Sequence, residues 1–353
     1  MKKTLLCAAA LCAMSSVSFA QSSTVTIYGI IDAAVRSEDS GPKGKTNNTV
    51  APGGMSQSRL GFRVNEDLGG GMSALANFEH RFMVDTGTVT AGDFWRQSWV
   101  GLKTSYGQVM LGRQYNVLFD ITTSTYASFK YSPYIEAFKP EIGMSLGART
   151  SNTVKYMAEM NGFRVALAAA AGEGGAGSSR GGYVRYENGP IAVGAGMQTL
   201  DDLNGNTVTG TTVGGALTLG SLTLTAGWAL TDPDDKFSRA TLAALLGNGG
   251  ANGGFAVSTN MDNRTMWSLG ALYQVTPALN LGVHYWDSKQ DSKKGTTDAQ
   301  GTAKFAAAVA DYALSKRTDV YFEVDTTDLG KKMVFANGET SRTGYMVGVR
   351  HRF

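Results

Sequence analysis

The side chains of this sequence that could do chemistry are charged groups rather than nucleophiles. Both cysteines, Cys7 and Cys12, lie among the first twenty residues, and His80, His284 and His351 are far apart without metal-ligand spacing. These histidines also lack convincing acid and serine companions for nucleophilic catalysis. The available chemistry is therefore electrostatic, with arginines and carboxylates that attract and orient charged solutes.

One group of charges follows a two-residue period. Arg59 and Arg63 alternate with apolar side chains in the segment 60–64. Successive strand side chains point to opposite faces, so both arginines lie on the polar face of a predicted strand. Glu79 and Arg81 share the polar parity of the following segment.

A second group of charges lies in a long polar segment, from about Gln114 to Ala148. Its acids are Asp120, Glu136 and Glu141, and its lysines are Lys130 and Lys139. On the residues alone, a solvated loop with scattered charges explains this segment.

The elements that must position these charges are short alternating strands. Segments such as 25–36, 59–65, 222–230 and 266–274 alternate apolar with polar side chains. They have roughly the 9 to 11 residues that a tilted transmembrane strand needs. Glycine accounts for 45 of 353 residues, against a usual share of about 7%. These features predict an all-β protein.

Short and long connections take turns along the chain. The predicted tight turns lie at 68–71, 105–107, 161–162, 188–190, 220–221, 276–278 and 315–317. The predicted long loops lie near 37–55, 85–92, 114–148, 172–179, 201–210, 232–262, 288–301 and 327–341. They separate sixteen strands with both chain ends on the tight-turn side, which is the arrangement of a transmembrane β-barrel. All seven prolines fall in these loops and turns, where a missing N–H breaks no ladder bond.

Aromatic residues near the strand ends support a membrane barrel. They are Trp95, Trp99, Tyr273, Tyr285, Tyr345 and Phe353, all on the apolar parity. Girdles of this kind lie at the two membrane surfaces of a barrel. The alternative, the core of a soluble β-sandwich, does not explain why the chain stops on Phe353 inside an alternating strand.

The first residues predict export. Lys2 and Lys3 precede an apolar stretch from Leu5 to Met14, and small residues precede a predicted cut before Gln21. This pattern is typical of a cleaved signal peptide, here residues 1–20, followed by one barrel domain over residues 21–353. Without the two lysines, 30 basic residues remain against 29 acidic ones, which implies no nucleic-acid partner.

Several strings together resemble one family. They are Ser58-Arg59-Leu60-Gly61-Phe62 running into residues 66–72, the start Val25-Thr26-Ile27-Tyr28-Gly29, residues 311–318 and the end Arg350-His351-Arg352-Phe353. The chain resembles the general diffusion porins of Gram-negative outer membranes over all of residues 21–353. The resemblance implies a sixteen-stranded antiparallel barrel with an inward-folded third loop, usually a homotrimer, that passes small hydrophilic solutes and ions.

The resemblance also implies functional residues. Pro140-Glu141-Ile142-Gly143 resembles a signature of the porin constriction, with isoleucine replacing phenylalanine. Arg59, Arg96 and Arg149 match the basic ladder that faces it. Asp120 and Glu136 are further loop acids, and Arg63, Arg81 and Glu79 extend the lumen set. The arginines either create a transverse field or pin the loop, and the two roles are compatible.

The charges and the resemblance together also predict selectivity and partners. Three matched arginines against one matched glutamate favour a mild preference for anions. The expected partners are outer-membrane lipids, lipopolysaccharide and the barrel assembly machinery, which reads the terminal Phe353. No cofactor is expected: the glycine pattern at residues 172–177 precedes no helix, and Asp232-Pro233-Asp234-Asp235 lacks further evenly spaced oxygen ligands.

The sequence is also compatible with three other functions. A solute-specific channel for a sugar or an anion would show saturable block of its conductance. An outer-membrane hydrolase would need a nucleophile and a base at the barrel rim. A secreted adhesin or lectin would stay soluble without detergent.

Overall fold

A computed structural model describes residues 23–39, 45–89, 95–127, 140–174, 177–247, 260–297, 299–335 and 338–353. In these ranges the strands are β1 (Ser23–Glu38), β2 (Asn47–Ala51), β3 (Arg59–Gly69), β4 (Met72–Arg81), β5 (Trp95–Thr104), β6 (Gly107–Tyr115), β7 (Arg149–Met160), β8 (Phe163–Ala170), β9 (Ser179–Asn188), β10 (Ile191–Asp201), β11 (Thr207–Leu219), β12 (Leu222–Pro233), β13 (Met261–Gln274), β14 (Leu279–Ser292), β15 (Gly301–Ala313), β16 (Thr318–Lys331) and β17 (Ser341–Arg352).

The strands form one closed antiparallel barrel. Each strand from β3 to β17 pairs with its sequence neighbour, and β1 pairs with both β3 and β17. The short β2 pairs with the outer end of β1 and belongs to the first loop. The barrel therefore has sixteen strands within the described residues, and the predicted fold is confirmed.

The tight turns follow local backbone chemistry. Between β7 and β8, Asn161 and Gly162 both have positive φ, at 52° and 82°. This conformation suits the type I′ turn that Asn-Gly favours, and its twist matches the flanking strands. The loop predicted near 201–210 is shorter than expected, since only residues 202–206 join β10 and β11. The Asp202 carboxylate stabilises this connection by accepting from the backbone N–H groups of Asn204 and Asn206.

The closing strand has one apolar outer face and one lumen face that carries charge. On β17, Val347 and Val349 are exposed to the outside of the barrel, whereas Met346 and Arg350 are buried in the lumen. On β15, however, both faces are largely apolar. Phe305 is 2% exposed and lies directly opposite Trp286 on the neighbouring strand β14. Lys304, the preceding residue, points outward.

Three short helices lie in the loops of the described residues: α1 (Val117–Thr125), α2 (Pro140–Gly143) and α3 (Arg239–Gly247). None is long and apolar enough to cross a membrane. We call residues 116–148 the inward loop; its described parts are 116–127 and 140–148. It packs on the lumen side of β9, β10 and β11 through α1, which confirms the inward-folded third loop.

Candidate functional site in the lumen

One side of the lumen carries a cluster of arginines around a single carboxylate. Arg96 on β5 places its Nε 2.9 Å from Oε1 of Glu79 on β4, and both side chains are almost fully buried. The pair is a close ionic contact without hydrogen-bond alignment between these two atoms. Arg96 also donates to the Tyr115 hydroxyl at 2.8 Å.

The other two ladder arginines join this cluster. Arg149, the first residue of β7, lies over the Tyr115 ring, 5.1 Å from its centroid. Arg59 on β3 donates to the Gln57 carbonyl at 2.9 Å. The charges of Arg96, Arg59 and Arg149 all act on Glu79. The structure thus brings the three predicted arginines together, with Glu79 among them.

Two further predicted lumen residues border the cluster. Arg63 lies over the Tyr28 ring at 4.8 Å, and the Tyr28 hydroxyl donates to Glu79 Oε2 at 3.0 Å. Arg81 ends β4 directly opposite Arg59. We call Arg59, Arg63, Arg96 and Arg149 with Glu79 the arginine cluster.

Glu141 lies on the far side of the barrel from this cluster. It sits in α2 of the inward loop and is 4% exposed. Its Oε1 is 4.0 Å from Nε2 of His284 on β14, about halfway round the barrel from β5. Glu141 therefore lies on the opposite side of the barrel from the arginine cluster, with its carboxylate close to the β14 wall.

A second loop acid of the predicted set, Asp120, holds the loop to the wall. Asp120 in α1 accepts from Lys155 Nζ of β7 at 2.6 Å, and the same ammonium donates to the Tyr115 carbonyl at 2.9 Å. Burial raises the pKa of the Asp120 carboxyl, and the Lys155 ammonium offsets part of this effect. Glu136, the remaining predicted loop acid, lies outside the described residues.

Comparison with known proteins identifies the family. A family model described as Gram-negative porin matches residues 7–332. Outer membrane porin protein 32 of Delftia acidovorans is 30% identical over the full length of both chains. An outer membrane porin protein of Bordetella pertussis is 27% identical, also over both full lengths. The chain belongs to the Gram-negative porin family.

Solved structures agree on the fold of this porin. An anion-selective porin from Comamonas acidovorans superposes with a TM-score of 0.75 at 24% identity, over 94% of this chain and all of that one. OmpT of Vibrio cholerae superposes with a TM-score of 0.68 at 17% identity, over 96% of this chain and 99% of that one. The porin is a multi-pass protein of the Gram-negative outer membrane that forms a channel for passive diffusion of small hydrophilic solutes and ions.

Residues that fix the inward loop were missed by sequence reasoning. Asn116 caps α1 by accepting from the Phe119 N–H at 2.8 Å, and its Nδ2 donates to the Ser145 carbonyl at 2.7 Å. One side chain thus ties the start of the porin loop to its end. An N-cap asparagine four residues before Asp120 in the first helical turn is a signal that could have predicted α1.

The far end of α1 has its own anchor. Arg185 on β9 donates from Nε to the Ser124 carbonyl at 3.1 Å. A cation at a helix C-terminus satisfies an orphan carbonyl and suits the helix dipole. This contact depends on the loop conformation, and no local pattern around Arg185 announces it.

Two other loops of the porin also enter the lumen. In the first loop, the Asp32 carboxylate on β1 accepts from the N–H groups of Gly54 and Ser56, at 3.0 and 2.7 Å, and Met55 is 1% exposed. In another loop, α3 buries Leu242 and Leu246 against Leu118 and Leu146 of the inward loop. Residues of three loops are therefore buried inside the barrel.

Proposed function

We propose that the narrow part of this porin channel prefers anions and that the arginine cluster supplies the preference. The supporting observation is that three arginines, Arg59, Arg96 and Arg149, surround the carboxylate of Glu79 on one wall, and Arg63 lies beside them over the Tyr28 ring. Arginine stays charged at any relevant pH. A net positive wall in a narrow aqueous gap lowers the energy of a passing anion and raises that of a cation.

The proposal extends to a transverse field. Glu141 on the inward loop lies across the lumen from Arg59, Arg96 and Arg149, so a dipolar solute between them would be oriented. Glu136 is proposed as a further acid of this loop. Because exposed charges are screened within about 8 Å at physiological salt, the preference is expected to be mild.

Reversal potentials in a salt gradient across planar bilayers test the selectivity. We expect the reversal potential of the native porin to have the sign of anion preference. The reversal potentials of Arg59→Gln and Arg149→Gln should shift toward cation preference. Arg180→Gln is the matched control, since it removes the same charge from an outward position at the rim of β9, where the side chain is 65% exposed. Cation preference of the native protein, or equal shifts in all three variants, would contradict the proposal.

A solute-specific channel is distinguished in the same bilayers. Millimolar sugars or organic anions are added while the single-channel current is recorded. A general channel shows no saturable block, whereas a specific channel is blocked by one class of solute. Ester and peptide hydrolysis assays on the same preparation test the absence of catalysis.

We also propose that the porin is exported with removal of residues 1–20 and assembles as a homotrimer in contact with outer-membrane lipids and lipopolysaccharide. A solved form of OmpT from Vibrio cholerae, 18% identical with a TM-score of 0.68, is described as a trimer. N-terminal sequencing of the purified protein tests cleavage before Gln21. Native mass spectrometry tests the number of chains and any lipid that remains bound.

A further inference from the structure

The lumen wall under α1 contains a row of glycines across three neighbouring strands. Gly194 on β10 pairs directly with Gly214 on β11, which pairs directly with Gly227 on β12. All three share the lumen parity of their strands, since Val213 and Trp228 beside them are exposed on the outer face. The row is a strip of wall without side chains, and we call it the glycine seat.

The end of α1 rests on this seat. A Cβ built on Gly214 would lie 2.1 Å from Cδ1 of Tyr126, and one built on Gly227 would lie 2.2 Å from Cε2 of the same ring. A Cβ on Gly194 would lie 2.4 Å from Cδ1 of Ile121. Ordinary contacts begin at 3.4 Å, so these side chains occupy space that only glycine leaves empty.

Polar contacts fix the Tyr126 ring in this place. Its hydroxyl donates to Oγ1 of Thr212, which itself donates to the Trp228 carbonyl at 3.0 Å. Its backbone N–H donates to the Thr122 carbonyl and closes the last turn of α1. Because Tyr126 ends α1 and its ring is held at both the hydroxyl and the backbone, we expect a displacement of the ring to move the end of α1 as well.

We propose that the glycine seat sets how far the inward loop projects into the channel and that Tyr126 is the positioning residue that transmits this depth. An added methyl group at Gly214 or Gly227 must move the ring from about 2 Å to at least 3.4 Å. That displacement of more than 1 Å is directed away from the wall, toward the open part of the lumen. The seat therefore acts on the pore aperture without touching the permeating solute. This inference rests on the channel function of the porin.

Single-channel conductance of Gly227→Ala tests the proposal. We expect a loss of roughly one fifth to one half of the conductance, because the narrowest section of a pore dominates its resistance. Gly215→Ala is the control: it adds the same methyl group on the outward face of the neighbouring strand β11, where its nearest contact would be 3.0 Å, against 2.2 Å at Gly227. Its conductance should equal that of the native porin.

A double-mutant cycle separates positioning from a general packing defect. In Tyr126→Ala the ring is gone, so adding Gly227→Ala should cause no further change in conductance. Independent packing effects would instead add. If Gly227→Ala does not fold, Gly194→Ala with and without Ile121→Ala provides the same cycle at the other end of the seat.

The conductance recordings separate failure of this proposal from failure of the channel function. A native protein without conductance would contradict the channel function itself. If the native protein conducts but Gly227→Ala and Gly215→Ala have equal conductance, the proposed role of the glycine seat is contradicted. Additive effects on conductance in the double-mutant cycle would contradict it as well. Reduced conductance that disappears in the Tyr126→Ala background supports it.

Discussion

At the scale of single residues, Glu79 is the centre of the positive wall. Its side chain is 5% exposed and that of Arg96 is 1% exposed, so neither charge is well hydrated. Strand parity predicted that Glu79 faces the lumen, but no pattern predicted that it would lie among three arginines, because they belong to separate strands. The carboxylate lowers the repulsion among these arginines and so lets them gather.

Glu79→Gln should therefore destabilise the barrel and strengthen anion preference together. Removing one partner of a buried ion pair costs about 3–5 kcal/mol, since the other charge is left uncompensated. Thermal unfolding in detergent measures the first effect, and reversal potentials measure the second. Unchanged selectivity would show that the cluster does not act on permeating ions.

The control for this prediction is an exposed ion pair. Glu159 contacts Arg164, and their side chains are 58% and 30% exposed. Exposed pairs contribute roughly 0–1 kcal/mol. Glu159→Gln should therefore leave the unfolding temperature nearly unchanged.

At the scale of elements, the inward loop depends on a clamp at its base. Asn116 joins the first turn of α1 to the carbonyl of Ser145, on the returning half of the loop. Asn116→Ala removes the cap and this bridge. Loss of an N-cap alone costs about 0.5–2 kcal/mol.

Asn116→Ala should give channels with excess current noise and more frequent closures at an unchanged folded yield, because the barrel strands keep all their pairings. Recordings at constant voltage measure this. Asn188→Ala, in an exposed turn at the end of β9, is the control and should record like the native porin. Quiet channels from Asn116→Ala would show that the other anchors hold the loop without the clamp.

Alternation predicted the strands well and failed where loops enter the lumen. The parity of β15 could not be assigned from sequence, because Phe305 and Ala307 face a lumen that is locally apolar. They belong to one buried cluster with Met55 and Met144, which are contributed by two different loops. Local periodicity cannot report a contact that depends on the return of a distant loop.

At the scale of the whole molecule, buried ion pairs tie both the first and the last strand to β16 where the barrel closes. Arg350 on β17 binds Asp319 on β16 at 3.0 Å, and Arg36 on β1 binds Asp325 on β16 at 2.6 Å. The basic face of β17 follows from the alternation of Arg350 and Arg352 with mostly apolar residues. Its acidic partners could not be predicted, because the register between β16 and β17 fixes them.

Phe353 adds one more residue pair to the ladder between β1 and β17. Its N–H donates to the Gly29 carbonyl at 3.1 Å, and its carbonyl accepts from the Gly29 N–H at 3.0 Å. The register then continues from Ile30 opposite Arg352 to Glu38 opposite Gly344. Deleting Phe353 therefore removes only the last rung of a long ladder, and the arginine cluster keeps its geometry.

We expect deletion of Phe353 to reduce the yield of assembled porin several-fold while the conductance of the barrels that form stays unchanged. The exposed terminal ring is the feature that the assembly machinery is proposed to recognise, and the rest of the ladder between β1 and β17 survives its loss. Heat-modifiable migration of outer-membrane fractions measures the yield, and planar bilayers measure the conductance. Phe353→Tyr keeps an aromatic ring and should assemble normally. An unchanged yield after deletion would refute recognition of the terminal residue, and a changed conductance would mean that the last rung also shapes the pore.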